Sequence, residues 1–300
     1  MIEPIGVETH SLVTSLGRMV YYTPTKMPWQ EAGEASSDQR PTLIFLHGFG
    51  GGSSAYEWSK VYPAFAYQYR VLAPDLIGWG RSEHPERRYQ VDDYISTIQE
   101  FMEQTCSEPA LVVASSLTAA FTIRAAIQRP DLFQSLILTT PAGLSDFGQD
   151  YTSSFFAQLV STPIIDQILY STAIATDAGI RNFLENRQFA RPERIHPEIV
   201  NAYLESALKP NAEYAALSFV RGDLSFDLSL YISQLTIPTA FIWGQQTQFI
   251  GPQIGKRLAD LNPEAIKVFQ PLEDVGLTPQ LELPAVTIGL IRRFLQLLTE

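Results

Sequence analysis

An apolar strand that runs almost directly into a helix is the feature that most constrains how this chain folds. Residues Leu111 to Ala114 are all apolar, and apolar residues from Leu117 to Gln128 recur at helical spacing. Only Ser115 and Ser116 separate the two patterns, so the chain must turn tightly there. A strand that is apolar at every position is covered on both faces, which is typical of a parallel sheet flanked by helices. The stretch therefore predicts an α/β fold.

The same alternation of strand and helix recurs before and after this stretch. An antiparallel strand pair is predicted over residues 7–22, and later segments alternate in type. The predicted strands are 42–46, 69–73, 135–140, 239–243 and 265–269, and the predicted helices are 55–67, 91–105, 252–261 and 284–298. Between residues 143 and 235 the patterns are helical and divided by prolines. We therefore predict a core formed by residues 1–142 and 236–300, with a helical cap over residues 143–235.

Composition and charge exclude several classes of protein. The 300 residues are 45% hydrophobic, which is enough for a full core, and 21 basic against 32 acidic residues give a net charge of −11. This charge opposes binding to nucleic acid or to an anionic membrane surface. No run approaches the roughly 18 apolar residues of a membrane span, and no secretory signal is visible, so a cytoplasmic location is expected. The single cysteine, Cys106, is interpreted as a residue at a helix end.

The turn at Ser116 has the position, but not the residues, of a nucleophile elbow. In the pattern G-x-S-x-G, small residues two before and two after the serine let the strand and helix approach closely. Here these residues are Ala114 and Thr118, and a branched threonine takes up space at a crowded turn. Ser116 is thus either a working nucleophile or the structural remnant of one. Ser53 and Ser54 lie in a similar run, Gly51 to Ala55, but after a different strand.

Five motifs in order resemble the α/β-hydrolase family, in particular its cap-bearing branch of epoxide hydrolases, haloalkane dehalogenases and small esterases. They are 47–50, 74–82, Ser116 with 129–131, 242–244 and 276–284. The resemblance implies an α/β-hydrolase fold, with a mostly parallel central sheet, helices on both faces and a helical cap. It also implies that Ser116 holds the nucleophile position and that the backbone N–H groups of Phe49 and Leu117 form the oxyanion hole.

The same resemblance places the acid and the base of a catalytic triad at Thr247 and Leu277. A threonine cannot replace the acid, and a leucine cannot act as a base. Two histidines, His84 and His196, lie in loops from which a replacement base is conceivable, and Asp146 is a candidate acid with no pattern to support it. His47, within the first motif, is expected to hold its loop in place.

Two functions remain open from the sequence. The first is a non-hydrolytic or impaired pocket protein that binds a small apolar molecule, with Leu277 and Phe249 lining the pocket under apolar cap segments 155–160 and 164–170. The alternative is a serine hydrolase or acyl-transfer enzyme that acts on a lipophilic ester through Ser116 with a non-standard base. An interaction protein that uses the cap surface is a third, weaker possibility. No metal or other cofactor is expected, since no His, Asp or Glu cluster has ligand spacing, and the oligomeric state is not predicted.

Overall fold

A single twisted sheet of eight strands forms the centre of the molecule. The computed structural model describes residues 4–29, 39–149, 170–248 and 250–299. The strands are β1 (Val7–Thr14), β2 (Gly17–Pro24), β3 (Thr42–Leu46), β4 (Arg70–Pro74), β5 (Ala110–Ser115), β6 (Phe133–Thr139), β7 (Thr239–Gly244) and β8 (Ile266–Leu272). They lie in the order β1-β2-β4-β3-β5-β6-β7-β8. Strands β1 and β2 are antiparallel to their neighbours and the others pair in parallel, which confirms the predicted mostly parallel sheet.

Helices cover both faces of this sheet. They are α1 (Val91–Thr105), α2 (Ser116–Gln128), α3 (Asp177–Phe183), α4 (Pro197–Ala207), α5 (Ala212–Val220), α6 (Pro252–Asp260), α7 (Pro279–Glu282) and α8 (Pro284–Thr299). Alternate residues of β5 enter two different apolar clusters: Val112 packs with the residues of α1 and α2, and Val113 packs with those of α8. Burial on both faces is the reason that β5 is apolar throughout.

One predicted element is wrong. Residues 55–67 form two short 3₁₀ turns, Ala55–Trp58 and Tyr62–Phe65, and not one α-helix. Pro63 has no N–H to continue an α-helical ladder. The Trp58 indole is fully buried and donates to the Leu46 carbonyl at 2.9 Å, which fixes the first turn against β3.

The segment between β6 and β7 contains α3, α4 and α5, together with π-helical turns at Tyr170–Ile174 and Leu184–Gln188. The two apolar segments expected to roof the pocket, 155–160 and 164–170, lie outside the described residues except for Tyr170. The limits of the cap at 143 and 235 stay a prediction. Of the helices described, none combines the length and the apolar character needed to cross a membrane.

Candidate functional site

The backbone at Ser116 has the strained geometry of a nucleophile elbow. Strand β5 ends at Ser115 and α2 begins at Ser116, whose φ is +57°. A left-handed backbone at a non-glycine residue costs of the order of 1–3 kcal/mol, and it persists only where the surroundings enforce it. Thr118, two residues further on, is fully buried in α2. The strained serine is therefore present without the two flanking glycines of the motif.

His47 orients the loop that carries one of the two predicted oxyanion donors. Its Nε2 accepts the Leu76 N–H at 3.0 Å, so its Nδ1 carries the proton and donates to the Gly48 carbonyl at 2.8 Å. Burial lowers the pKa of His47 to about 4, which keeps the ring neutral. The Phe49 N–H belongs to the same peptide group as the Gly48 carbonyl and points the opposite way. His47 thus holds this peptide in place, which is the structural role favoured by the sequence.

The second predicted donor is the N–H of Leu117. This residue is the second of α2 and is fully buried. The first N–H groups of a helix have no acceptor within the helix, and they form its positive end. A Cβ placed on Gly48 would lie 3.4 Å from the Ser116 Cβ, so the loop before Phe49 packs directly against the elbow.

A small apolar pocket lies above Ser116. It is lined by Phe49, Ser116, Thr140, Ala142, Leu144, Phe219, Ile250 and Leu277. The cavity measures about 10 Å³, room for no more than one water molecule. None of these eight described residues is titratable. Leu277 is thus placed beside Ser116, whereas Phe249 lies outside the described residues and its neighbour Ile250 lines the pocket.

The loop that carries Leu277 is hydrogen-bonded to the cap. The Leu277 N–H donates to the Gln188 carbonyl at 2.7 Å. The buried Glu282 carboxylate accepts the Gly276 N–H at 2.7 Å and the Ala190 N–H at 2.9 Å. Residues 188–190 are therefore joined to residues 276–277 by one backbone hydrogen bond and by the Glu282 carboxylate. The position that the resemblance assigns to the base holds an apolar side chain on a fixed backbone.

Thr247 lies in the neighbouring loop, after β7. The Gln246 N–H in this loop donates to the Val275 carbonyl at 2.9 Å, so the loop is adjacent to the one that carries Leu277. The Thr247 hydroxyl is buried, and it has no hydrogen-bond partner among the described residues. The acid position therefore offers one neutral hydroxyl.

Neither candidate replacement histidine lines the pocket. Burial lowers the pKa of His84 to about 4, and the nearby Lys209 charge lowers it further. His196 is exposed at the start of α4. The structure therefore does not place either ring among the residues in contact with the cavity at Ser116.

Asp146 has a structural role in a joint between two loops. Its carboxylate accepts the Gly143 N–H at 3.0 Å and the Leu228 N–H at 2.9 Å, which connects the chain after β6 to the chain before β7. Burial raises the pKa of Asp146 to about 6, and the negative charge of Asp227 raises it too. Its oxygens are thus engaged by backbone donors, and Asp146 does not line the pocket.

This raised pKa makes stability depend on pH. Because folded Asp146 holds its proton up to about pH 6 and the unfolded side chain releases it near pH 4, its contribution to stability is present below pH 4 and lost as the pH rises through 6. We expect the free energy of unfolding of wild type, relative to Asp146→Asn, to fall by up to about 3 kcal/mol across this window. Urea unfolding of both proteins from pH 4 to 8 measures this, and parallel pH curves would contradict it.

Glu57 is a buried residue beside the elbow that the sequence analysis missed. Its Oε2 accepts the Gly48 N–H at 2.9 Å and its Oε1 accepts the Tyr203 hydroxyl at 3.0 Å. Ser53 and Gln280 also hydrogen-bond to this carboxylate. Burial raises its pKa, although these donors act in the opposite direction. The signal in the sequence is an acidic residue within the otherwise apolar run Ala55-Tyr56-Glu57-Trp58.

Tyr203 extends this network into the cap. It lies in α4, is almost completely buried, and its hydroxyl accepts a hydrogen bond from the Gln188 side chain at 2.6 Å. Since the Gln188 carbonyl accepts the Leu277 N–H, one chain of hydrogen bonds joins the loop before Phe49, the cap and the loop of Leu277. The three segments around the pocket are thus mechanically connected.

Comparison with known families agrees with this architecture. Residues 41–273 match the family model described as the alpha/beta hydrolase fold. The chain belongs to the α/β-hydrolase family. Among relatives in this family, an uncharacterized hydrolase of Bacillus subtilis, YugF, is 27% identical over 74% of this chain and 79% of its own length. A 2-(acetamidomethylene)succinate hydrolase of Mesorhizobium japonicum is 24% identical over 82% of this chain and 87% of its own length.

A solved α/β-hydrolase structure covers nearly the whole chain. The serine hydrolase of carbazole degradation, CarC, superposes with a TM-score of 0.74 over 97% of this chain and 99% of its own, at 18% sequence identity. At this identity the likeness concerns the fold.

Proposed function

We propose that this α/β-hydrolase family member holds a small apolar ligand above Ser116 and does not carry out hydrolysis by a serine–histidine–acid triad. The observation that carries the proposal is the placement of Leu277 in the pocket with Ser116. A serine hydroxyl at neutral pH needs a base within hydrogen-bond reach, and an isobutyl group cannot serve. An apolar wall with few polar groups is typical of a site for a small molecule.

Backbone strain around the pocket supports a role for the pocket itself. Six non-glycine residues in the described part of the chain have positive φ, and three of them, Ser116, Thr140 and Leu144, line this cavity. Strained backbone costs stability and persists only where the surrounding structure enforces it. Such residues cluster at functional sites. This cost is consistent with a pocket whose shape matters to the protein.

Ligand binding in this proposal involves a movement of the cap. The pocket lined by the described residues has room for about one water molecule, so a larger ligand needs more space than this conformation provides. Phe219 on α5 and Leu144 belong to the predicted cap, and Leu277 belongs to the loop bonded to it. In this proposal, a ligand binds when these two elements separate.

A fluorophosphonate probe tests the proposal directly. We expect an alkyl fluorophosphonate to label wild type no faster than Ser116→Ala, because no group activates the hydroxyl. Time courses followed by intact-protein mass spectrometry measure the rate, with an active serine hydrolase as the reagent control. Labelling that is at least tenfold faster in wild type and located on Ser116 would overturn it.

Serine hydrolysis of a lipophilic ester is the second candidate, favoured by the strained backbone at Ser116 and by the position of Glu57. A Cβ built on Gly48 would lie 3.3 Å from the Glu57 Oε2 and 3.4 Å from the Ser116 Cβ, so the carboxylate and the serine flank one glycine. In this alternative Glu57 is the non-standard base. If Glu57 is the base, the fluorophosphonate labels Ser116 in wild type, and Glu57→Gln abolishes this labelling.

A further inference from the structure

Thr140 combines three unusual properties at the edge of the pocket. It follows β6 directly, it is almost completely buried, and its φ is +46°. Its N–H donates to the Ile242 carbonyl at 2.8 Å, which holds the backbone at the end of β7. Its hydroxyl, in contrast, is buried with no partner among the described residues. The residue lines the same cavity as Ser116.

Both the backbone conformation and the side chain of Thr140 reduce stability at this position. A branched residue is rare in the left-handed region, which glycine or asparagine would occupy with less strain. A buried hydroxyl without a partner loses its hydration and gains nothing in return. Valine would have the same shape without that second cost. A hydrogen bond to a bound ligand would offset the cost of burying this hydroxyl.

The chemistry of the lining defines this partner. Six of the eight lining residues are apolar, and the other two, Ser116 and Thr140, carry hydroxyls. An ionised ligand would be disfavoured there, since none of the described lining side chains bears a charge to compensate it. The N-terminus of α2 adds N–H groups and the positive end of a 13-residue helix beside Ser116. The N–H groups only donate and both hydroxyls can donate, so together they favour a ligand with an acceptor oxygen.

We propose that Thr140 is a specificity-determining residue of this pocket, whose hydroxyl donates a hydrogen bond to the carbonyl oxygen of a neutral, otherwise apolar ligand. The inference rests on the proposed function, that the pocket binds a small apolar molecule, and it adds the ligand's chemical class: a ketone, lactone or ester. A hydrocarbon of the same shape would leave the hydroxyl unpartnered.

Two probe compounds of nearly equal shape test this role. Acetophenone has a carbonyl where α-methylstyrene has a C=CH₂ group. We expect Thr140→Val to weaken acetophenone binding about fivefold and to leave α-methylstyrene binding unchanged, since one net hydrogen bond is lost. Thr140→Ser, which keeps the hydroxyl, should retain wild-type affinities. Ligand-observed NMR titrations measure the six affinities, and comparison across variants cancels the difference in hydrophobicity between the compounds.

Two further variants separate the possible failures. Thr118→Val removes another buried, unpartnered hydroxyl that does not line the pocket, and it should change neither affinity. Leu277→Trp fills the cavity and should abolish binding of both compounds. If both compounds bind, Leu277→Trp abolishes binding, and Thr140→Val affects the two equally or not at all, only the inference about Thr140 is wrong. If wild type binds neither compound, or Leu277→Trp leaves binding unchanged, the proposed function fails and this inference fails with it.

Discussion

Replacing Leu277 by histidine together with Thr247 by aspartate is expected to accelerate the reaction of Ser116 with a fluorophosphonate by at least about 100-fold. In a serine protease, loss of the base costs about 10⁶ in turnover, so even poor recovery of a base is a large effect. Residue 277 already lines the pocket with Ser116, and residue 247 lies in the adjacent loop. The elbow is already strained, and His47 already fixes the Gly48–Phe49 peptide.

The controls for this gain of reactivity use the same two positions. Leu277→Gln with Thr247→Asn introduces polar side chains of similar size without a base, and this variant should react at the wild-type rate. Adding Ser116→Ala to the histidine–aspartate pair should abolish labelling. If a folded histidine–aspartate variant is no faster than wild type, then Ser116 does not present its hydroxyl to residue 277, and the elbow is a structural remnant.

Glu57→Ala is expected to lower the free energy of unfolding by about 3–5 kcal/mol, the largest effect on stability that we predict for the site. The change leaves the Gly48 N–H and the Tyr203 hydroxyl buried without their acceptor. It also leaves a void between the core and the cap, which adds to the loss. Chemical denaturation at pH 7, with the slope m compared between proteins, measures the change.

Two tyrosine variants show how much of this loss comes from a single hydrogen bond. Tyr203→Phe removes one hydrogen bond to Glu57 and should cost about 1–3 kcal/mol. Tyr56→Phe is the matched control: its hydroxyl donates to Glu198 at 2.8 Å, but Glu198 is partly exposed and water can replace the donor. It should cost less than about 1 kcal/mol. A loss below 1 kcal/mol for Glu57→Ala would show that water, and not the protein, satisfies these groups.

The sheet could be predicted because its signals are local. Residues 42–46 and 91–105 form the strand and helix that their apolar patterns indicate, with the predicted limits. The continuous apolar run in β5 indicates that both faces of this strand are buried, as they are in the structure. The prediction failed at residues 55–67, where the Trp58 indole bonds to β3 and overrides a helical pattern.

The site was only partly predictable because its remaining contacts are distant in sequence. The turn at Ser116 and the leucine at 277 can be recognised from single motifs. The role of Glu57 depends on Tyr203, which lies 146 residues further along the chain. The Thr140 hydroxyl has no partner among the described residues because of what surrounds it in space, and no residue pattern encodes that.

The bond between the Leu277 N–H and the Gln188 carbonyl has a kinetic consequence. In this proposal a ligand reaches Ser116 only while the cap and this loop are apart, because the cavity lined by the described residues has room for about one water molecule. The observed association rate would then rise with ligand concentration only until it equals the rate of cap opening. Residence time would be governed by the same motion. In this proposal, the motion of the cap and not the identity of the ligand sets the speed of ligand exchange.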